Sequence, residues 1–252
     1  FFYSAKNTDA KTFVMQHGVT GDVSYPLFAH KFLAWGKVEA EKMKLYGASE
    51  NEIQVVGSPY FDEVYSSIKN KYTGLENYKQ PYITFLSQPF LGSNFLKPGE
   101  YETIMNWFYS LEELARQNKK ELIIKLHPAD KEEHYHSKPG NIKITTESLL
   151  DVLSKSCIAL TIDSTAIFEA VMMGVPTLQL APESQSRYID FSNTGITNWT
   201  KTMYELQTLF KGYFTEKTKY LENQKSSFDF LRNYYFELGN KENSVVRIEK
   251  II

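Results

Sequence analysis

The chain has 252 residues, 42% of them hydrophobic and 23% charged, with a formal net charge of −2. That length can bury a substantial core in one or two domains, and the near-neutral charge gives no electrostatic case for nucleic acid or an anionic membrane, leaving only a local basic patch open. No apolar run approaches the ~20 residues that cross a bilayer, and a single cysteine, Cys157, precludes an internal disulfide framework and suits a reducing compartment.

The chain opens Phe1-Phe2-Tyr3 with no basic–apolar–small signal pattern. Three short apolar runs come first, Thr12–Met15, Lys31–Trp35 and Ile53–Val56, each ending in a turn that holds Gly18, Gly36 or Gly57. Val38 to Tyr46 reads as a helix closed by Gly47. Residues 1–68 thus have the pattern of the back half of an α/β domain, whose front half is expected to precede Phe1. Residues 69–80 are polar and irregular and read as a linker.

A second series then starts afresh. Tyr82–Leu86 is strand-like, Glu100–Asn118 a long amphipathic helix, Glu121–Leu126 a strand and Ile142–Ile144 a short one. Leu149–Ser156 reads as a helix, Ile158–Ile162 as a strand, Thr165–Met173 as a helix and Pro176–Leu180 as the last strand. Residues 81–200 form this second domain, and residues 201–252 are read as C-terminal helices over about 201–213 and 215–238. Strands alternating with helices predict parallel sheets with right-handed crossovers. The expected fold class is α/β, with two Rossmann-like parallel-sheet domains, the first incomplete at its N-terminus.

Two stretches, Leu126-His127-Pro128 and Asp163 through Glu169, each end a strand-like run. In an open parallel sheet such loops share one edge, where ligands bind. Ser164 and Thr165 are expected at a helix start, whose hydroxyls and backbone N–H groups suit phosphate. The pair points to a phosphate-bearing ligand such as a nucleotide. Ordinary N-capping by Asp163 or Ser164 accounts for the same residues. For His127 the structural alternative is a bond to a nearby carbonyl, and for Glu169 a solvated helix face. Ser87 and Gln88 follow the first strand of the second series, ahead of Gly92 and Ser93, and read as a phosphate-approaching loop or a plain polar turn. The segment Asp130 to His136 has metal-ligand residue types but no standard zinc spacing, and reads as a solvated loop. The aromatic stretches Trp107–Tyr109 and Phe228–Phe236 read as packing, and the few basic residues of the last helix leave a membrane-surface role weakly supported. Cys157, just before an apolar run, reads as a buried thiol.

The series Gln16-His17-Gly18, His30 to Gly36, Gly57 to Asp62, His127-Pro128, and Ser164-Thr165 through Glu169 to Pro176 resembles a GT-B glycosyltransferase of bacterial surface polysaccharide synthesis. Closest in pattern are the capsule sialyl- and Kdo-transferases, which share a His-Pro motif, and the CDP-glycerol glycerophosphotransferases. The resemblance covers about Lys11 to Pro182 and rests on the order of short motifs. It implies a sugar or glycerol phosphate moved from a nucleotide-activated donor to a polysaccharide or glycolipid acceptor. By that resemblance residues 1–68 are the acceptor side and 81–200 the donor side. His127 and Pro128 meet the donor phosphate with Ser164 and Thr165, Glu169 accepts hydrogen bonds from a ribose, and His17 lines the cleft or serves as a base.

The resemblance also implies no resident cofactor and no metal, since the nucleotide donor is itself a substrate. The expected partners are a nucleotide-sugar donor and a glycan or lipid-linked acceptor, with no nucleic acid. The expected location is the cytoplasm, with peripheral contact at the inner face of the membrane left open. The paired-acid-glycine motif that supplies the base in the sialyl- and Kdo-transferases is not found in this chain. Two rivals stay open: an enzyme like the non-hydrolysing UDP-N-acetylglucosamine 2-epimerases, and a non-catalytic nucleotide- or sugar-binding module.

Overall fold

A computed structural model describes residues 9–21, 24–68, 77–89, 99–181, 191 and 196–252. The chain divides into two compact units, residues 1–70 with 229–252, and residues 71–228. The C-terminal segment read from sequence as one block is therefore split: residues 201–228 belong to the second unit and 229–252 return to the first.

In the first unit β1 (Phe13–Met15), β2 (Lys31–Ala34) and β3 (Ile53–Val55) form a parallel sheet in that order. Helix α1 (Lys37–Leu45) follows β2, and α2 (Pro59–Ile68), a helix the sequence reading missed, follows β3. Successive strand residues point to opposite faces. Accordingly Phe32 and Ala34 pack with Ala40 and Met43 of α1, while Leu33 packs with Val56 and Ile248.

The second unit opens with β4 (Tyr82–Leu86), α3 (Glu100–Gln117), β5 (Glu121–Lys125) and β6 (Lys143–Thr145). It continues with α4 (Leu149–Ser154), β7 (Ser156–Thr161), α5 (Ile167–Met172), β8 (Thr177–Leu180) and β9 (Asn198–Thr200), the last strand absent from the sequence reading. All pairings are parallel, in the order β6-β5-β4-β7-β8-β9. Counted within the unit this is 3-2-1-4-5-6, the Rossmann order. Strand β7 is buried at every position, as expected for a central strand covered on both faces. Ile83, Phe85, Phe108, Ile124, Leu160 and Leu178 lie in this core. Cys157 is buried as expected, and burial pushes its thiol up to about 12.

Helix α6 (Met203–Thr215) starts with a capping box in which Thr202 accepts the Glu205 N–H and Glu205 accepts the Thr202 N–H. Of the expected linker, residues 77–80 are described, and the buried Asn77 donates to the Met173 carbonyl at 2.8 Å within the second unit. Just past α5, Gly174 has φ +70, a left-handed value, and a Cβ there would meet Gln224 Nε2 at 2.7 Å.

Helix α7 (Lys217–Phe230) gives way to a π turn at Leu231–Tyr235, closed by the Phe236 N–H to the Leu231 carbonyl at 3.0 Å. The sequence pattern predicts one helix through to Leu238. The wider turn brings Leu231, Tyr235 and Phe236 all inward, each fully buried. In the first unit Phe236 stacks on Phe61 at 4.0 Å between centroids and lies 5.4 Å from Trp35. The last helix, α8 (Ser244–Glu249), is pinned by the Ser244 N–H to Asp62 Oδ2 at 2.7 Å. Among the described residues no helix is long and apolar enough to cross a membrane.

Candidate functional site

In the second unit the strand order reverses between β4 and β7, the switch point beyond whose strand carboxyl ends open parallel sheets bind ligands. Leu86 pairs with Lys125 on one side and Thr161 on the other, which puts Ser87, His127 and Ser164 just beyond the sheet on one edge. Three of the residues singled out from sequence are thus brought together by topology. The loop with Gly92 and Ser93 lies outside the described residues.

The His127-Pro128 turn is held from beneath. The His127 N–H donates to Ser87 Oγ at 2.8 Å, and the Ser87 hydroxyl donates to Asp130 Oδ2 at 2.7 Å. The Tyr135 hydroxyl donates to the same oxygen at 2.7 Å. Asp130 Oδ1 accepts the Lys131 N–H at 2.9 Å and faces His134 Nδ1 at 2.8 Å. Ser87 and Asp130 are buried, and burial first, then the Asp130 carboxylate, pushes the Tyr135 phenol well above its usual range. Residues 130–136 therefore do not form a purely solvated loop: Asp130 and Tyr135 are an internal hub. Sequence reading missed both, although an aspartate two residues past a His-Pro turn was the available signal. Among the described residues no cluster of His, Cys, Asp and Glu could hold a metal ion.

The His127 ring is half-buried, and its Nδ1 accepts the Ala129 N–H at 3.1 Å. In the neutral ring the proton then sits on Nε2, which is a donor. Pro128 is exposed, and Gln88 is half-buried beside Ser87. Lys125, the last residue of β5, donates Nζ to the Leu126 carbonyl at 2.7 Å, and burial lowers its ammonium from the usual value.

On the far side of the reversal Thr161 ties the two strands. Its hydroxyl donates to the Leu86 carbonyl at 3.2 Å and accepts the Ser164 N–H at 2.8 Å. Helix α5 consequently starts two residues later than its sequence pattern suggested. Ser164 to Ala166 is a turn in which Ile167 and Phe168 donate to the Ser164 and Thr165 carbonyls, and the N-cap is Ala166, not Asp163 or Ser164. Ser164 Oγ is buried and accepts the Ala166 N–H at 3.4 Å, whereas Thr165 is half-buried. Glu169 is 6% exposed, so the solvated-face alternative does not hold for it. Burial raises the Asp163 carboxyl to about 6.

In the first unit His17 follows β1 and is exposed. Its neighbour Gln16 is buried and spends both ends of its amide: Nε2 donates to the Gly18 carbonyl at 2.8 Å and to Glu39 at 3.0 Å, and Oε1 accepts the Trp35 N–H at 2.7 Å. A groove of about 620 Å³ lies elsewhere, between α3 and α6, lined by Tyr109, Glu113, Gln117, Gln207 and Lys211 among others. It includes none of the strand-edge residues, so the switch point at the strand reversal is the better-founded site.

No protein-family model and no curated protein sequence matches the chain. Solved structures do. A protein of Listeria monocytogenes described as a UDP-N-acetylglucosamine 2-epimerase superposes with a TM-score of 0.62 at 18% identity, over 94% of this chain and 65% of its own length. The S. aureus MnaA–UDP co-structure gives a TM-score of 0.67 at 15% identity, over 99% and 71%. The wall teichoic acid polymerase TagF gives 0.52 at 13%, over 98% and 68%. The chain thus spans just under two thirds of the Listeria protein. At these identities the likeness shows the fold alone, an α/β architecture of Rossmann-like parallel sheets.

Proposed function

We propose that this chain is part of an enzyme acting on UDP-sugars, with the switch point at the β4/β7 reversal as the seat of the nucleotide phosphates. The observation that carries the proposal is the clamped His127 turn, on the same strand edge as Ser164. A ring whose Nδ1 is occupied from behind offers its Nε2 proton outward, and a fixed donor there stabilises charge gathering on a departing phosphate. Thr165 and Glu169 complete the pocket in this proposal, the first as a hydroxyl donor and the second as a ribose acceptor. The nucleotide sugar is substrate, and no resident cofactor or metal is assigned. A cytoplasmic site of action accords with the expected reducing compartment.

Between reaction types, the fold likeness to an epimerase and to a UDP complex favours an enzyme like the UDP-N-acetylglucosamine 2-epimerases over the glycosyltransferase that the motifs first suggested. Transfer to a polysaccharide or lipid-linked acceptor is the second reading, supported by the exposed His17 beside Gly18 and by the likeness to TagF. A thermal-shift panel of UDP, UMP, CDP, CMP and GDP tests the shared step. UDP should raise the melting temperature selectively, because a ligand of the folded state stabilises it. His127→Ala should weaken UDP about tenfold, or about 1.4 kcal/mol. A flat response to every nucleotide would overturn the proposal. Incubation with UDP-N-acetylglucosamine alone then separates the two reactions, since an epimerase forms a free epimerised nucleotide sugar without an acceptor and a transferase does not.

A further inference from the structure

Glu39, in the first turn of α1, is fully buried, and a buried carboxylate is costly unless donors surround it. Here they do. Oε2 accepts from Gln16 Nε2 at 3.0 Å, the Thr20 N–H at 2.8 Å and the Thr20 hydroxyl at 2.5 Å. Oε1 accepts from Lys42 Nζ at 3.0 Å and the Tyr235 hydroxyl at 2.6 Å. Burial, then Glu39 itself, pushes the Tyr235 phenol well above its usual range, which keeps it a donor. The approach of this distant segment is close. A Cβ on Gly36, at the N-cap of α1, would sit 2.1 Å from the Tyr235 carbonyl oxygen, so only glycine lets the π turn dock there.

Everything Glu39 gathers on one side belongs to the loop after β1. Gln16 is held at its backbone by the Leu33 carbonyl and at its side chain by three partners, and Thr20 is held at both its N–H and its hydroxyl. Within residues 16–20 His17 alone is exposed. A mere surface turn between a strand and its crossover does not call for a desolvated charge to fix it. We propose that Glu39, with Gln16, Thr20 and Tyr235, is a positioning cluster that fixes His17 at the carboxyl edge of β1. The C-terminal segment 229–252 is then part of the working architecture of the first unit, because it supplies the phenol that closes the cluster. This rests on the reading that His17 acts on the substrate.

The test compares His17→Ala, Glu39→Gln and Tyr235→Phe, each in the full chain. Turnover of the UDP-sugar, UDP affinity and the His17 imidazole signal in long-range proton–nitrogen NMR spectra are read together. Tyr235→Phe keeps the ring and removes only one donor, so it remains informative if Glu39→Gln fails to fold. The expected result is a loss of turnover of about tenfold for Glu39→Gln and about threefold for Tyr235→Phe, with UDP affinity unchanged and the His17 signal shifted or broadened. The His127 signal stays in place. An inactive His17→Ala beside a Tyr235→Phe protein with normal turnover and an unmoved His17 signal would overturn the positioning role and leave the His17 reading intact. Normal turnover in His17→Ala would sink that reading, and the positioning proposal with it.

Discussion

Each unit sets a histidine at the carboxyl edge of a parallel strand, and each does so with a buried carboxylate that gathers side-chain and backbone donors. Glu39 serves the loop of His17 and Asp130 the turn of His127. The two clusters differ in where their donors come from. Asp130 draws on Lys131, His134 and Tyr135, all within five residues, and on one partner from the neighbouring strand end, Ser87. Glu39 has one local donor, Lys42, and otherwise draws on Gln16 and Thr20 before it and on Tyr235, 196 residues later. A clamp made of local groups can form with its own strand-loop segment. A clamp closed by a group 196 residues away forms only when that distant segment has docked, and is exposed to damage far away.

The difference can be broken most sharply by removing the two carboxylates. Glu39→Ala takes the acceptor from the Tyr235 hydroxyl and from the Thr20 N–H and hydroxyl, while Gln16 Nε2 keeps the Gly18 carbonyl. It should destabilise the first unit by about 4 kcal/mol, since each orphaned buried donor costs about 1–3 kcal/mol. Asp130→Ala should cost about 2 kcal/mol, because His134 and the Lys131 N–H are partly exposed and recover water. Urea unfolding followed by probes in each unit is the measurement, as two units need not melt together. Equal losses, or a larger one for Asp130→Ala, would erase the distinction between local and distant closure.

The same contrast explains what could be read from sequence. The alternation of apolar strands with helices was legible, as were the strand ends that carry His127, Ser164 and His17, because period and turn residues are local signals. Strand β9 was not, since Asn198-Trp199-Thr200 is too short and polar to stand out until β8 offers it a partner. The hub residues were harder still. Glu39 sits among Lys37, Glu41, Lys42 and Lys44, where it looks like any solvated helix charge, and only the return of Tyr235 reveals it as internal. The return itself was hidden, because Phe228 to Phe236 has a helical pattern with no mark of which unit it covers. Tyr135 carries no local signal, because its acidic and histidine neighbours have the pattern of a solvated loop.

Asp163 sharpens the comparison in another way, for at this third strand-edge carboxylate burial alone sets the titration. Its carboxyl is raised from an ordinary 3.8 to about 6. Between those values the folded chain holds more protons at this site than the unfolded chain does. The group's contribution therefore favours folding at the acid end of the window and is lost as pH rises towards and past 6. Asp163→Asn should remove that dependence and stabilise the protein at pH 7 by at most about 2 kcal/mol, reduced by the partial solvent access of the side chain. Melting temperatures of the two proteins from pH 4.5 to 7.5 should diverge towards neutral pH. Parallel curves would mean that Asp163 is solvated as an ordinary aspartate.

The smallest expected effect isolates the phenol of the Asp130 cluster. Tyr135→Phe removes one of two hydroxyls from Asp130 Oδ2 and leaves Ser87 in place, so the His127 N–H keeps its acceptor. It should cost about 1 kcal/mol of stability and change UDP affinity by less than about twofold. Ser87→Ala, which cuts the relay between His127 and Asp130 while keeping the phenol, should cost similar stability but weaken UDP several-fold. If the histidine turn were held by bulk packing, both substitutions would act on stability alone and leave nucleotide affinity equal. Unequal affinity at equal stability is what a relay running from carboxylate through hydroxyl to the histidine backbone requires.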